Sequence, residues 1–133
     1  MSCVFADTSF YVAVINERDM LHKAARDFSS NYRGDTVTTE YVLVELGNWF
    51  ARSAYRDRFG TIIRWILDDA KTRVIPAGID LFNEGVTLYV SRSDKTWSLT
   101  DCISFAVMEQ LHLRDVLTID HHFDQAGFRL LLR

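Results

Sequence analysis

Four carboxylates stand where a folded chain could gather them. Asp7 closes the apolar run "CVFAD", Glu45 interrupts "YVLVELGNWF", Asp101 comes early in "WSLTDCISFAVM", and Asp120 follows "DVLTI". Acids held within a few ångströms of one another repel and raise each other's pKa unless a cation compensates them. A hard divalent ion does this with oxygen ligands alone, and Mg²⁺ is commonly held by a few carboxylates while it keeps several waters. The chemistry on offer is that of a hard dication held by carboxylates together with a substrate phosphate.

Each acid also has a local explanation. Asp7 ahead of "TSF" and Asp120 ahead of His121 are good helix N-caps. Ser98 and Asp101 have the spacing of a capping box, and a helix dipole favours an acid in the first turn. Glu45 is harder to explain locally, because an unpaired charge in an apolar segment is costly to bury. A solvated face or an ion pair with Arg52 is its bland alternative.

The elements that must carry these acids follow from hydrophobic period and punctuation. Short strands are expected over 3–7, 35–39, "TRVIPAG" up to Pro76, 115–120 and "RLLL" at 129–132. Helices are expected over Ser9–Asn16, within "MLHKAARDFSSNYR", from Glu40, within "RDRFGTIIRWILDDA", over Ile79–Ser91 and from near Ser98, with a helical turn in "HHFDQAG" ended by Gly127. In the fourth of these, Ile62, Ile63, Ile66 and Leu67 read as the buried face, and Phe123 and Phe128 read as core. Strands separated by helices predict an α/β fold, a central mostly parallel sheet covered on both faces. Ligands of such sheets bind beyond the carboxyl ends of the strands, where all four acids can face.

The chain of 133 residues fits one domain, 1–133, and 48% hydrophobic with 25% charged residues predicts a real core. A net charge of −3 argues against holding nucleic acid by broad phosphate neutralisation. It leaves room for a nuclease with a local acidic site. No run reaches membrane-spanning length, "MSCVFADTSF" carries no basic leader, and Cys3 and Cys102 fit neither a CxxC nor a zinc spacing. The expectation is a cytoplasmic protein with reduced thiols and no membrane partner.

In order and spacing, "FADTSF", "TTEYVLVELGN", "WSLTDCISFAVM" and "VLTIDHHFDQAGF" resemble the four acidic motifs of PIN-domain ribonucleases, most closely the VapC-like toxins of bacterial toxin-antitoxin pairs. The resemblance spans nearly the whole chain. It implies a three-layer α/β/α sandwich and a Mg²⁺- or Mn²⁺-dependent endoribonuclease whose catalytic and metal-binding acids are Asp7, Glu45, Asp101 and Asp120. Thr118 would support the last acid or touch a metal-bound water. An RNA substrate, a homodimer and a small antitoxin partner are implied as well. Some relatives carry an extra acid near the third or fourth motif; here His121 and His122 follow Asp120, and a base or an RNA contact is one role open to them, a capping or surface role the simpler expectation.

Arg52, Arg56, Arg58, Arg64, Arg92 and Lys95 are candidates for RNA contact, against the plainer reading of a solvated face. Trp49 or Trp65 could leave an aromatic patch for a partner. Two rival functions compete with hydrolysis. A phosphotransfer domain would also place Asp at strand ends, but "DTS" lacks a second acid. A PIN-like RNA- or protein-binding module that keeps its acids without cutting is the other.

Overall fold

A computed structural model describes residues 2–132. Five strands form one sheet: β1 (Cys3–Ala6), β2 (Asp35–Thr39), β3 (Thr72–Ile75), β4 (Asp115–Leu117) and β5 (Arg129–Leu130), in the order β3-β2-β1-β4-β5. Every adjacent pair is parallel. Seven α-helices are described: α1 (Thr8–Ile15), α2 (His22–Asn31), α3 (Glu40–Ala51), α4 (Phe59–Asp68), α5 (Ile79–Ser91), α6 (Leu99–Gln110) and α7 (His121–Gln125).

The strand order means that the chain leaves β1 in one direction through β2 and β3, then returns across the sheet to β4 and β5. Right-handed crossovers therefore put α1 to α4 on one face and α5 to α7 on the other. Packing follows this division, with α1 against α2 and α3, α5 against α6 and α6 against α7, while α3 also reaches across to meet α6. The result is the expected three-layer α/β/α sandwich, with a sheet that is parallel throughout.

Sandwiched strands lose water on both faces, which is why β1 and β4 are continuous apolar runs. Phe5, Ala6, Val116 and Leu117 are buried, as are Val42, Leu46 and Phe50 of α3 and Cys102, Phe105 and Met108 of α6. Phe123 is fully buried, its ring 4.9 Å from Phe105, and Phe105 in turn meets Trp97 at 5.0 Å. This aromatic cluster seats the short helix α7 on α6. Gly127, at φ 95°, then releases the chain into β5.

Several details differ from expectation: β1 ends at Ala6 and β5 at Leu130, each short of the expected run. β4 stops at Leu117 and not at Asp120, because the Thr118 side chain turns inward and Asp120 starts α7. The segment 56–70 opens with a 3₁₀ turn, Arg56–Arg58, before α4. Leu67 is exposed, since Ile62 and Ile66 one turn apart already face the core. Cys3 and Cys102 are free thiols. No helix among the described residues is long and apolar enough to cross a membrane.

Candidate active site

The register sets the ends of the two central strands level, with Ala6 opposite Leu117 and the Asp7 N–H on the Leu117 carbonyl at 3.2 Å. Between β1 and β4 the direction of winding reverses, and the crevice beyond their carboxyl ends is the natural ligand site of a parallel sheet. Asp7 stands at that edge. It occupies the N-cap position of α1, yet its side chain makes no capping bond. Instead Asp7 Oδ2 accepts from the Thr118 hydroxyl at 2.9 Å.

Thr118 is fully buried and works on both sides of the crevice. While donating to Asp7, its oxygen accepts the backbone N–H of Asp120 at 3.1 Å. Ser9 Oγ lies 2.9 Å from the same oxygen. The only Thr118 hydroxyl hydrogen is already on Asp7, so Ser9 is the donor there.

Glu45 projects from α3, half-buried, and its Oε1 accepts from the Thr8 hydroxyl at 2.6 Å. No ion pair joins it to Arg52 among the described residues. Asp101 completes both arms of the capping box at the start of α6, and Asp120 caps α7 by accepting the His122 N–H at 2.9 Å. The local explanations of these two acids therefore hold, and they do not compete with a role in the cleft. A capping bond occupies one carboxylate oxygen and leaves the other.

All four acids line one cleft of about 460 Å³, joined by His122, Asp19 and Trp49. Asp7 and Asp101 are only 5% and 6% exposed, so their charges meet little water. The Asp7 carboxyl is pushed up to about 7, chiefly by burial and also by Asp101 and Glu45, against bonds from Thr118 and the Thr8 backbone that pull it down. Burial also raises Asp101, against hydrogen bonds from Ser98 and His122 and with repulsion from Asp120. The four carboxylates are thus linked electrostatically, Glu45 to Asp7 to Asp101 to Asp120.

His122 departs from its expected place. Its side chain is 17% exposed, against 74% for His121, and its Nδ1 lies 3.0 Å from Asp101 Oδ2. The surface reading fits His121 alone. The potential ligand atoms of Asp120, His121 and His122 lie within 4.8 Å of one another. Asp19 and Thr8 also went unnoticed in the sequence. Thr8 had a signal, a hydroxyl directly beside the first acid, whereas Asp19 reaches the cleft only because the loop after α1 folds back. None of the basic candidates lines the cleft. Arg64 pairs with Asp68, and Arg92 pairs with Asp94 and lies 5.0 Å from the Trp97 ring centroid.

An α/β/α sandwich with buried acids at the switch point of a parallel sheet is the arrangement that the four motifs implied. Residues 4–129 match the PIN domain family, and the chain belongs to it. Among curated relatives it is similar to the 23S rRNA-specific endonuclease VapC20 of Mycobacterium tuberculosis, 27% identical over 94% of this chain and 95% of the relative. The crystal structure of Mycobacterium tuberculosis VapC20, a sarcin-ricin loop cleaving toxin, superposes with a TM-score of 0.88 at 25% identity, covering 98% of each chain. FitAcB from Neisseria gonorrhoeae shares the fold at a TM-score of 0.67 and 14% identity, over 96% of each chain.

Proposed function

We propose that this chain is a divalent-metal-dependent endoribonuclease that hydrolyses RNA phosphodiester bonds, and that it is the toxin of a toxin-antitoxin pair. The observation that carries the reading is the meeting of Asp7, Glu45, Asp101 and Asp120 in one cleft at the sheet's switch point. The similarity to VapC20 over nearly the full length supports it.

The donor set fits a hard dication. Its charged groups are carboxylates, no thiol lines the cleft, and Asp7 resists ionisation in their company. Asp7, Glu45, Asp101 and Asp120 would hold Mg²⁺ or Mn²⁺. Such an ion offsets the charge of the scissile phosphate and lowers the pKa of a water molecule.

The protein's own contribution is placement and proton transfer. Thr118, Thr8, Ser98 and His122 fix the carboxylates before substrate arrives, so little reorganisation is left for the reaction. Glu45, the acid carried by α3, is half-buried and its second oxygen takes no bond from the described residues. It can accept a proton from the attacking water. In-line attack by water leaves a 5′-phosphate and a 3′-hydroxyl.

The substrate class proposed is structured RNA, with a ribosomal RNA stem-loop as the first to test. A small antitoxin protein would inhibit the chain, and a second copy would cover the outer side of α5, where Ile79, Phe82 and Val90 are exposed. The deciding experiment incubates purified protein with a ribosomal stem-loop RNA, with EDTA, Mg²⁺ or Mn²⁺, beside Asp7→Asn and Glu45→Gln. Metal-dependent cleavage lost in both variants is expected. Equal cleavage by wild type and Asp7→Asn, binding without cleavage, or products ending in 2′,3′-cyclic phosphate would overturn the reading.

A further inference from the structure

Asp101 and Asp120 each have one oxygen occupied and one free. Asp101 Oδ2 accepts the Ser98 backbone N–H at 3.1 Å and lies 3.0 Å from His122 Nδ1. Asp120 Oδ1 accepts the His122 backbone N–H at 2.9 Å and lies 3.3 Å from the same ring nitrogen. Asp101 Oδ1 and Asp120 Oδ2 take no hydrogen bond from the described residues.

One ring nitrogen thus faces two carboxylates that reach the cleft from different elements, one from α6 and one from beyond β4. Both neighbours are acceptors, so Nδ1 must carry a hydrogen; a bare lone pair there would face two more. Nε2 has its own partner, Thr96 Oγ1 at 3.2 Å, whose hydroxyl can donate to it. A neutral ring is then satisfied at both nitrogens. The ring is also held in place, because its helix is anchored by fully buried Phe123 and by the Trp97 Nε1 bond to Gln125 at 2.9 Å.

We propose that His122 is a positioning residue: its Nδ1–H holds one oxygen of Asp101 while its backbone N–H, with the same ring edge 3.3 Å away, holds one oxygen of Asp120, so that the two remaining oxygens are presented together to a divalent cation. The inference rests on the metal-dependent reading above and adds a division of labour within it. One oxygen of each carboxylate belongs to the protein and one to the ligand. Groups that orient metal-binding carboxylates in this way matter nearly as much as the ligands themselves.

The test uses the full chain. Nitrogen-15 NMR of the metal-free wild type locates the hydrogen of the His122 ring, and calorimetry measures Mn²⁺ binding by wild type, His122→Ala and His122→Asn. Pulsed EPR of bound Mn²⁺ then reports any nitrogen ligand. Expected are a hydrogen on Nδ1, Mn²⁺ affinity about 10- to 100-fold weaker in His122→Ala, recovery of most of that loss in His122→Asn, whose amide N–H reaches the place of Nδ1, and no imidazole coupling to manganese. A hydrogen on Nε2 alone, wild-type affinity in His122→Ala, or nitrogen coupling to the ion would each overturn the clamp. Failure of the wild type to take up Mn²⁺ would instead overturn the metal-dependent reading, and the presenting role with it.

Discussion

Thr118 and Asp7, 111 residues apart in the chain, are joined by a hydroxyl-to-carboxylate hydrogen bond of 2.9 Å. The bond spans the crevice between β1 and β4. Because the same oxygen accepts the Asp120 N–H, a single buried side chain sets the distance between the first acid and the last.

Replacing Thr118 by Val keeps the shape and removes all three bonds, the one from the Ser9 hydroxyl included. Asp7 loses its donor and the Asp120 N–H its acceptor, at a cost of about 1–3 kcal/mol. Cleavage is expected to fall by about 10- to 100-fold, the usual effect of losing a group that orients a ligand. Thr118→Ser, which keeps the hydroxyl, should retain most activity. Urea unfolding and initial cleavage rates check both effects; a fully active Thr118→Val enzyme would show that the bond is dispensable.

Asp7 makes the metal-free protein sensitive to pH in an unusual direction. Its carboxyl titrates near 7 in the fold against 3.8 ordinarily. The folded state therefore binds this proton when the unfolded state has lost it, and stability falls as pH rises from 3.8 through about 7. The full contribution is about 4 kcal/mol. Asp7→Asn should remove this slope and be the more stable protein at pH 8 in EDTA. Mn²⁺ should raise the wild-type Tm more at pH 8 than at pH 5. Parallel stability-pH curves for wild type and Asp7→Asn would contradict the assignment.

These dependences show which parts of the site could be read in the sequence. The capping box of Ser98 and Asp101 and the cap at Asp120 are local, three residues or fewer across, and the apolar runs of β1 and β4 declare buried strands by composition. Sheet order then brings the acids to one edge. What stayed hidden depends on distant packing. His122 looked like a surface residue because nothing nearby in sequence shows that α7 is pressed onto Phe105. Leu67 continued an apolar stripe that Ile62 and Ile66 had already filled. Thr118 and Ile119 suit a strand, so the pattern carries β4 on to Asp120; the bond from Thr118 to Asp7 and the cap at Asp120 end it earlier.

At Gly85, α5 packs tightly against Ile103 of α6. A Cβ built there would overlap Ile103 Cγ1 and stand 3.3 Å from the Ile103 backbone. Ile103 is buried and β-branched, so it cannot swing away. Gly→Ala inside a helix ordinarily stabilises by up to about 1 kcal/mol. Here overpacking of about 1–3 kcal/mol reverses the sign. Gly85→Ala is expected to lower the Tm. Since Asp101 lies in the first turn of the helix that must shift, activity near the melting range should fall ahead of the wild type. A Gly85→Ala protein at least as stable as wild type would contradict this close approach.

The outer side of α5 carries the last prediction. Ile79 and Val90, eleven residues apart, project within about 20° of each other on a helix of 3.6 residues per turn, and both are 70% exposed. Phe82 lies beside them at 39% exposure, and Val44 of α3 adds another exposed apolar side chain. Several large apolar side chains exposed along one helix of a small domain are costly to leave in water and mark an interaction surface. If a second copy covers it, light scattering with size exclusion should find a dimer for wild type. Val90→Asp together with Ile79→Asp should then give a folded monomer, because two carboxylates buried in an apolar interface have no partners. A wild-type monomer at micromolar concentration, or a dimer that survives both substitutions, would move the interface elsewhere.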